Sequence, residues 1–102
     1  MRVIKPARVR EFERQHADAA SGLERWLELT KAAQWAHLHD VRRAFRSADE
    51  VRVASGRTVV VFNVAGNKYR LITAIHYNVQ KVFVLRFLTH VEDSANRWKD
   101  EL

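Results

Sequence analysis

The 102 residues suffice for one hydrophobic core and not for two, so a single domain over 1–102 is expected, and 47% hydrophobic residues make it globular. Eighteen Lys and Arg against twelve Asp and Glu leave a net charge of +6 and a pI near 10.3, which points to a polyanionic partner. The absence of cysteine excludes disulfides, cysteine–zinc sites and thiol chemistry. No apolar run approaches the roughly 20 residues that span a bilayer, and Met1-Arg2-Val3-Ile4-Lys5-Pro6 lacks the apolar stretch of a signal peptide, so a cytoplasmic protein without membrane contact is expected.

Met1 to Lys5 reads as a short strand ended by Pro6, which suits the first turn of a helix of about ten residues with Val9 and Phe12 inward. After a break over Gln15 to Ser21, Leu23, Trp26, Leu27 and Thr30 recur at the spacing of one helix face. Asp18 or Ser21 is placed to cap that helix, and Gly22 sits awkwardly in its first turn. Trp35 to His39 is a connector with Trp35 as a core anchor. Asp40 then caps a third helix that turns Val41, Ala44 and Phe45 inward. His37 and His39 have metal-like spacing, but no Cys or nearby carboxylate cluster completes a shell, so no metal or other cofactor is expected. Ser47 to Glu50 reads as loop.

From Arg57 the period becomes that of strands: Arg57 to Val64, Lys68 to Tyr77 and Lys81 to Thr89, joined at Gly66-Asn67 and Asn78-Val79-Gln80 as an antiparallel meander. The tail from Val91 holds a short helix. The fold class is therefore α+β, with an N-terminal strand and two to three helices packed on an antiparallel sheet. Gly66-Asn67 supplies positive φ for a two-residue loop, which sets Asn63 opposite Arg70.

Pairing Tyr77 with Val82 puts Arg86 and His90 on one face with Tyr69, Thr73 and Tyr77. The other face, with Val61, Ile72, Ala74, Phe83, Leu85 and Phe87, is then expected under the helices, with Asn63, Lys68 and Arg70 at its turn end. A one-residue slip would exchange these partners. Arg and Lys neutralise phosphate, Tyr stacks on bases and His exchanges protons near neutrality, so these residues suit phosphodiester chemistry. Each has a plainer reading too: Lys68 and Arg70 as solvated turn residues, and His76 and His90 as strand-end surface groups.

Several segments together carry a resemblance: Met1 to Ile4, Asp40-Val41-Arg42-Arg43-Ala44-Phe45 with Ser47-Ala48-Asp49, Val61-Phe62-Asn63-Val64 with Gly66 to Leu71, Thr89-His90-Val91-Glu92, and Trp98-Lys99. In these the chain resembles the HigB-type toxins of the RelE superfamily, and the Phe-Asn-x-x-Gly-Asn-x-x-Arg and Thr-His-x-Glu segments are its most specific parts. The resemblance implies a RelE-like fold and a ribosome-dependent endoribonuclease that cuts mRNA. It also implies a toxin that by itself is a monomer and is neutralised by a helix-turn-helix antitoxin of the HigA type. Asn63, Asn67, Arg70, Thr89 and His90 fall on the family's motif positions. Family members usually continue Thr-His-x-Glu with Tyr-Asp, where this chain has Asp93-Ser94.

The expected catalytic set is His90 for proton transfer, with Arg70, Arg86 and Lys68 on the phosphate. Asn63, Asn67, Tyr69, Thr89, Arg42, Arg43 and Arg57 are expected to bind RNA, the last three through ribosomal RNA backbone. A protein of the same fold that binds RNA without cutting, and a related toxin that poisons gyrase, are the alternative readings.

Overall fold

A computed structural model describes residues 1–102. Its centre is a five-stranded sheet in the order β1-β5-β4-β3-β2, built from β1 (Arg2–Ile4), β2 (Asp49–Arg52), β3 (Thr58–Val64), β4 (Tyr69–His76) and β5 (Lys81–Thr89). The last three form the expected meander. β1 adds to the β5 edge in parallel, Val3 opposite Val82. The stretch expected as loop at Asp49-Glu50 is instead edge strand β2, antiparallel to β3. Only Val51 in it is apolar and partly buried, so the sequence shows no alternation there to detect.

Helices α1 (Pro6–Gln15), α2 (Ala20–Ala32) and α3 (Leu38–Ala44) lie on one face of the sheet. Pro6 occupies the first turn of α1, Val9 is fully buried, and Phe12 stacks on Phe87 of β5. On α2 the expected stripe of Leu23, Trp26, Leu27 and Thr30 is the buried one. Gly22 belongs in that helix for a packing reason: a Cβ there would sit 3.1 Å from Val64 Cγ1, so glycine lets the helix approach the end of β3. Neither Asp18 nor Ser21 caps α2, which instead follows a 3₁₀ turn over Ala17–Ala19. Asp40 is likewise not the cap of α3. It stands in the first turn, accepts the Ala36 N–H at 2.9 Å and is held below the usual carboxylate range chiefly by that bond. Ala44 faces solvent, while Trp35, Phe45, Phe62 and Trp26 form an aromatic centre under the helices.

The first hairpin has the expected register, Asn63 opposite Arg70. Its positive-φ residues, however, are Ala65 (φ 54°) and Gly66 (φ 70°), and the connection runs over four residues from Ala65 to Lys68. The second hairpin departs from the expected register. Val82 pairs with Ile75 rather than Tyr77, because Tyr77–Val79 winds into a 3₁₀ turn closed by Gln80 at φ 55°. Further along, the register shifts between Ile72 and Thr73: Thr73 pairs with Val84, but Ile72 pairs with Arg86. Leu85 is the extra residue of a bulge, and after it the β5 side chains from Arg86 onward change face. The helices also cover the opposite face from the one expected: it holds Phe62, Leu71, Val82, Val84 and Tyr69, joined by Phe87 through the bulge, whereas Val61, Ile72, Leu85, Asn63, Arg70 and Arg86 lie on the far face, where Trp98 rather than a long helix packs on Val61 and Ile72.

That far face is not bare. Two short helices, α4 (His90–Ser94) and α5 (Arg97–Glu101), fold back across it, and Trp98 is buried on Val53, Val59, Val61 and Ile72 as a second, small core. No helix is long and apolar enough to cross a membrane.

Candidate functional site

Two rows of residues cross the far face of the sheet: Asn63, Arg70 and Leu88, then Val61, Ile72 and Arg86. Arg70 and Arg86 are therefore diagonal neighbours on adjacent strands, a separation of about 7–8 Å between backbones that one phosphodiester segment can bridge. The bulge at Leu85 creates this pairing, since an unbroken ladder would have turned Arg86 under the helices.

His90 joins them from the start of α4. Thr89 and Glu92 form a reciprocal capping box: Thr89 Oγ1 accepts the Glu92 N–H at 3.2 Å, and Glu92 Oε1 accepts the Thr89 N–H at 3.0 Å. The Thr-His-x-Glu motif thus has a local structural meaning. It ends β5, starts α4 and makes His90 the first helical residue, whose N–H donates to Lys68 O at 2.9 Å. From there the ring meets Arg70, with Nη2 3.3 Å from His90 Nδ1. A guanidinium only donates, so Nδ1 is the acceptor and the proton of the neutral ring lies on Nε2.

Arg70 is the most enclosed of the site's cations, with a side chain 13% exposed. Its Nη1 donates to Asn67 O at 3.2 Å and Tyr69 O at 3.1 Å, while its Nε lies 3.6 Å from Asp93 Oδ2. The last is an ion pair rather than a hydrogen bond. Asp93 also accepts the Trp98 indole N–H at 3.0 Å. Arg86 is more open; its Nη1 donates to Leu85 O at 3.2 Å and its Nη2 is 3.6 Å from Glu101 Oε2. A cleft of about 350 Å³ beside Arg70 is lined by Asn63, Asp49, Asp93, Asn96 and Trp98, among others. A second, of about 360 Å³, lies beside Arg86 and is lined by Leu88, Arg97, Trp98 and Glu101 among others.

The other expected site residues lie elsewhere. Lys68 projects from the hairpin turn toward Asp18, 3.8 Å away, and Tyr69 points to the helix side, where its hydroxyl donates to Asp18 Oδ1 at 2.7 Å. This bond is the chief cause that holds the Asp18 carboxyl low and raises the Tyr69 phenol. Tyr69 also stacks on Phe87. Asn67 is exposed at the turn, and the Thr89 hydroxyl is committed to its cap. Arg42 binds Ala48 O at 3.0 Å and Asp49 at 3.5 Å at the rim of the first cleft, whereas Arg43 and Arg57 are exposed on α3 and on the turn between β2 and β3. Asp93, Trp98 and Glu101 were not among the expected site residues. The departure at Asp93 from the family's tyrosine and the Trp98-Lys99 match were the marks the sequence left on that stretch, and neither pointed to the arginines.

The model of the HigB toxin, a RelE-like toxic component of a toxin-antitoxin system, matches residues 19–94, which run from the end of the 3₁₀ turn through α4. The chain belongs to the HigB toxin family. As the toxic component of such a pair, it has an antitoxin as its partner. A search of curated proteins finds no match to the chain. The family match takes in Asn63, Arg70, Arg86 and His90 and stops before α5.

Proposed function

We propose that this toxin is a ribosome-dependent endoribonuclease that cuts mRNA by attack of a 2′-OH on its own phosphate, without a metal ion. The observation that carries the reading is the contact between Arg70 Nη2 and His90 Nδ1 at 3.3 Å, with Arg86 one strand away on the same face. The reaction forms a 2′-O–P bond and breaks the P–O5′ bond, so it needs an acceptor for the 2′-OH proton, a proton for the departing 5′-oxygen and positive charge on the crowded phosphorus. Arg70 and Arg86 supply the charge. A phosphate that takes the Arg70 guanidinium withdraws it from His90, and the freed Nδ1 lone pair then lies beside the reacting phosphate as the base. The proton returns to the 5′-oxygen and leaves a 2′,3′-cyclic phosphate.

Asn63, lining the cleft, is suited to a base edge or sugar hydroxyl, while Asn67 and Lys68 at the turn and Arg42, Arg43 and Arg57 at the periphery are suited to backbone of mRNA or ribosomal RNA. Tyr69 serves from the helix side, by fixing the hairpin against Asp18. The antitoxin in this reading is of the HigA, helix-turn-helix type. The test is cleavage in a translating extract. His90→Ala with Arg70→Ala should remove it, each lost group lowering the rate by about 10²-fold. Unchanged cleavage by the double variant refutes the assignment.

A further inference from the structure

Both arginines of the site are already paired, and both partners come from the C-terminal segment. Asp93 of α4 lies 3.6 Å from Arg70, and Glu101 of α5 lies 3.6 Å from Arg86. A carboxylate presents a guanidinium with the same kind of acceptor oxygens as a phosphate. The two acids therefore stand where the oxygens of an RNA backbone would have to sit.

The segment that carries them covers the far face from one main anchor. Its anchor is Trp98, 3% exposed, which packs on Val53, Val59, Val61 and Ile72 and lines both clefts, so that the indole is the partition between them. Beyond that anchor the hold is a half-buried Leu102 against the same small core, one hydrogen bond from the Ala54 N–H to Lys99 O at 2.9 Å, and the exposed Glu101 pair. Asn96, at φ 59°, makes a sharp corner between α4 and α5, and a five-residue helix has little stability of its own. α5 also lies wholly beyond Ser94, where the family match ends.

Resting on the reading of this face as the RNA site, we infer that the segment from Asp93 through α5 forms an autoinhibitory strap, hinged beyond the Thr89–Glu92 cap that holds His90 in place. Asp93 and Glu101 occupy the phosphate positions of Arg70 and Arg86 in the free toxin, and RNA gains the site by displacing them together with Trp98. The two clefts then join into one trough along the sheet.

The experiment measures binding of the full-length protein to a fluorescein-labelled single-stranded RNA of about ten nucleotides by anisotropy. Asp93→Asn with Glu101→Gln keeps the shape of the strap and an acceptor for the Trp98 indole. It should bind about 10-fold more tightly than the parent. Glu11→Gln with Glu24→Gln removes the same charge from exposed positions of α1 and α2 and measures the general gain in attraction. An equal gain in the two double variants overturns the strap.

A second arm uses the absence of native cysteine. Ala54→Cys with Lys99→Cys should lock the strap when oxidised, weakening RNA binding by about 10-fold, and release it on reduction. Oxidised protein that binds as tightly as reduced protein overturns the inference. The two readings fail separately. Tighter binding by the strap variant with no mRNA cut in a translating extract leaves the strap and removes the nuclease. Equal cutting by locked and reduced protein removes the strap alone.

Discussion

Replacing Thr89 separates a structural role from an RNA contact at a residue where the sequence motif favours both. In Thr89→Ala the Glu92 N–H loses the hydroxyl it donates to at 3.2 Å, and the return bond from the Thr89 N–H to Glu92 at 3.0 Å loses its counterpart. Loss of an N-cap costs about 1 kcal/mol, and both bonds are exposed here, so a value at or below that is expected. For a chain of this size the melting temperature should fall by about 4–8 °C per kcal/mol. The same loosening acts on His90, the first residue of α4. Its N–H remains tied to Lys68 O, so the ring is loosened rather than lost, and cleavage should fall by about 5-fold. Thr89→Asn decides between the roles. Asparagine caps at least as well as threonine but carries no hydroxyl, so it should restore both stability and cleavage. Thermal melts and cleavage in a translating extract, run on the three proteins in parallel, provide the readouts. An asparagine variant as stable as the parent but as inactive as the alanine variant would refute the capping argument as the account of activity. A stable alanine variant would refute it as the account of structure.

Other sites carry predictions of different kinds. Phe62→Ala should cost about 3–5 kcal/mol in urea unfolding, because the ring is 1% exposed and meets Trp26, Trp35 and Phe45, leaving a cavity that three aromatic neighbours cannot fill. Ala65→Gly should raise stability by about 1 kcal/mol, since Ala65 holds φ 54° against the preference of an L side chain; a loss in the same measurement contradicts the turn geometry. Asp18→Asn should return the Tyr69 phenol toward its ordinary value of 10.0 and leave Tyr77, raised chiefly by burial, unchanged, as followed by tyrosinate absorbance. The signs for the Asp18–Tyr69 bond follow from linkage. Asp18 is lowered, so its contribution is present above the ordinary 3.8 and fades as pH falls through the lower folded value. Tyr69 is raised, so its contribution is present below 10.0 and fades as pH climbs through the higher one.

The helices were legible because their signal is redundant: Leu23, Trp26, Leu27 and Thr30 repeat one period and are all buried, and Pro6 and Gly22 mark features that the packing uses. The first hairpin was legible for the same reason, and its register placed Asn63 against Arg70. The second failed at two places, the 3₁₀ turn over Tyr77–Val79 that moves the partner of Val82 to Ile75, and the bulge that moves Arg86. Alternation counts positions, and the extra Leu85 carries no mark in the sequence, being one apolar residue among Val84, Arg86 and Phe87. Counted without it, Arg86 and His90 fall on the face of Tyr69, away from Arg70, and the candidate site divides in two.

The cover was invisible for a different reason. Trp98 and the two acids act across a fold-back that no local period encodes, and the aspartate at position 93 registered only as a missing tyrosine. The same departure has a positive content in the structure. A carboxylate there reaches both the Arg70 guanidinium and the Trp98 indole, so the residue that interrupts the motif is the one that ties the C-terminal helices to the centre of the site. The hairpin from Val59 to Leu71 supplies only Asn63 and Arg70 to that centre. The bulge supplies Arg86, and the capping box supplies His90.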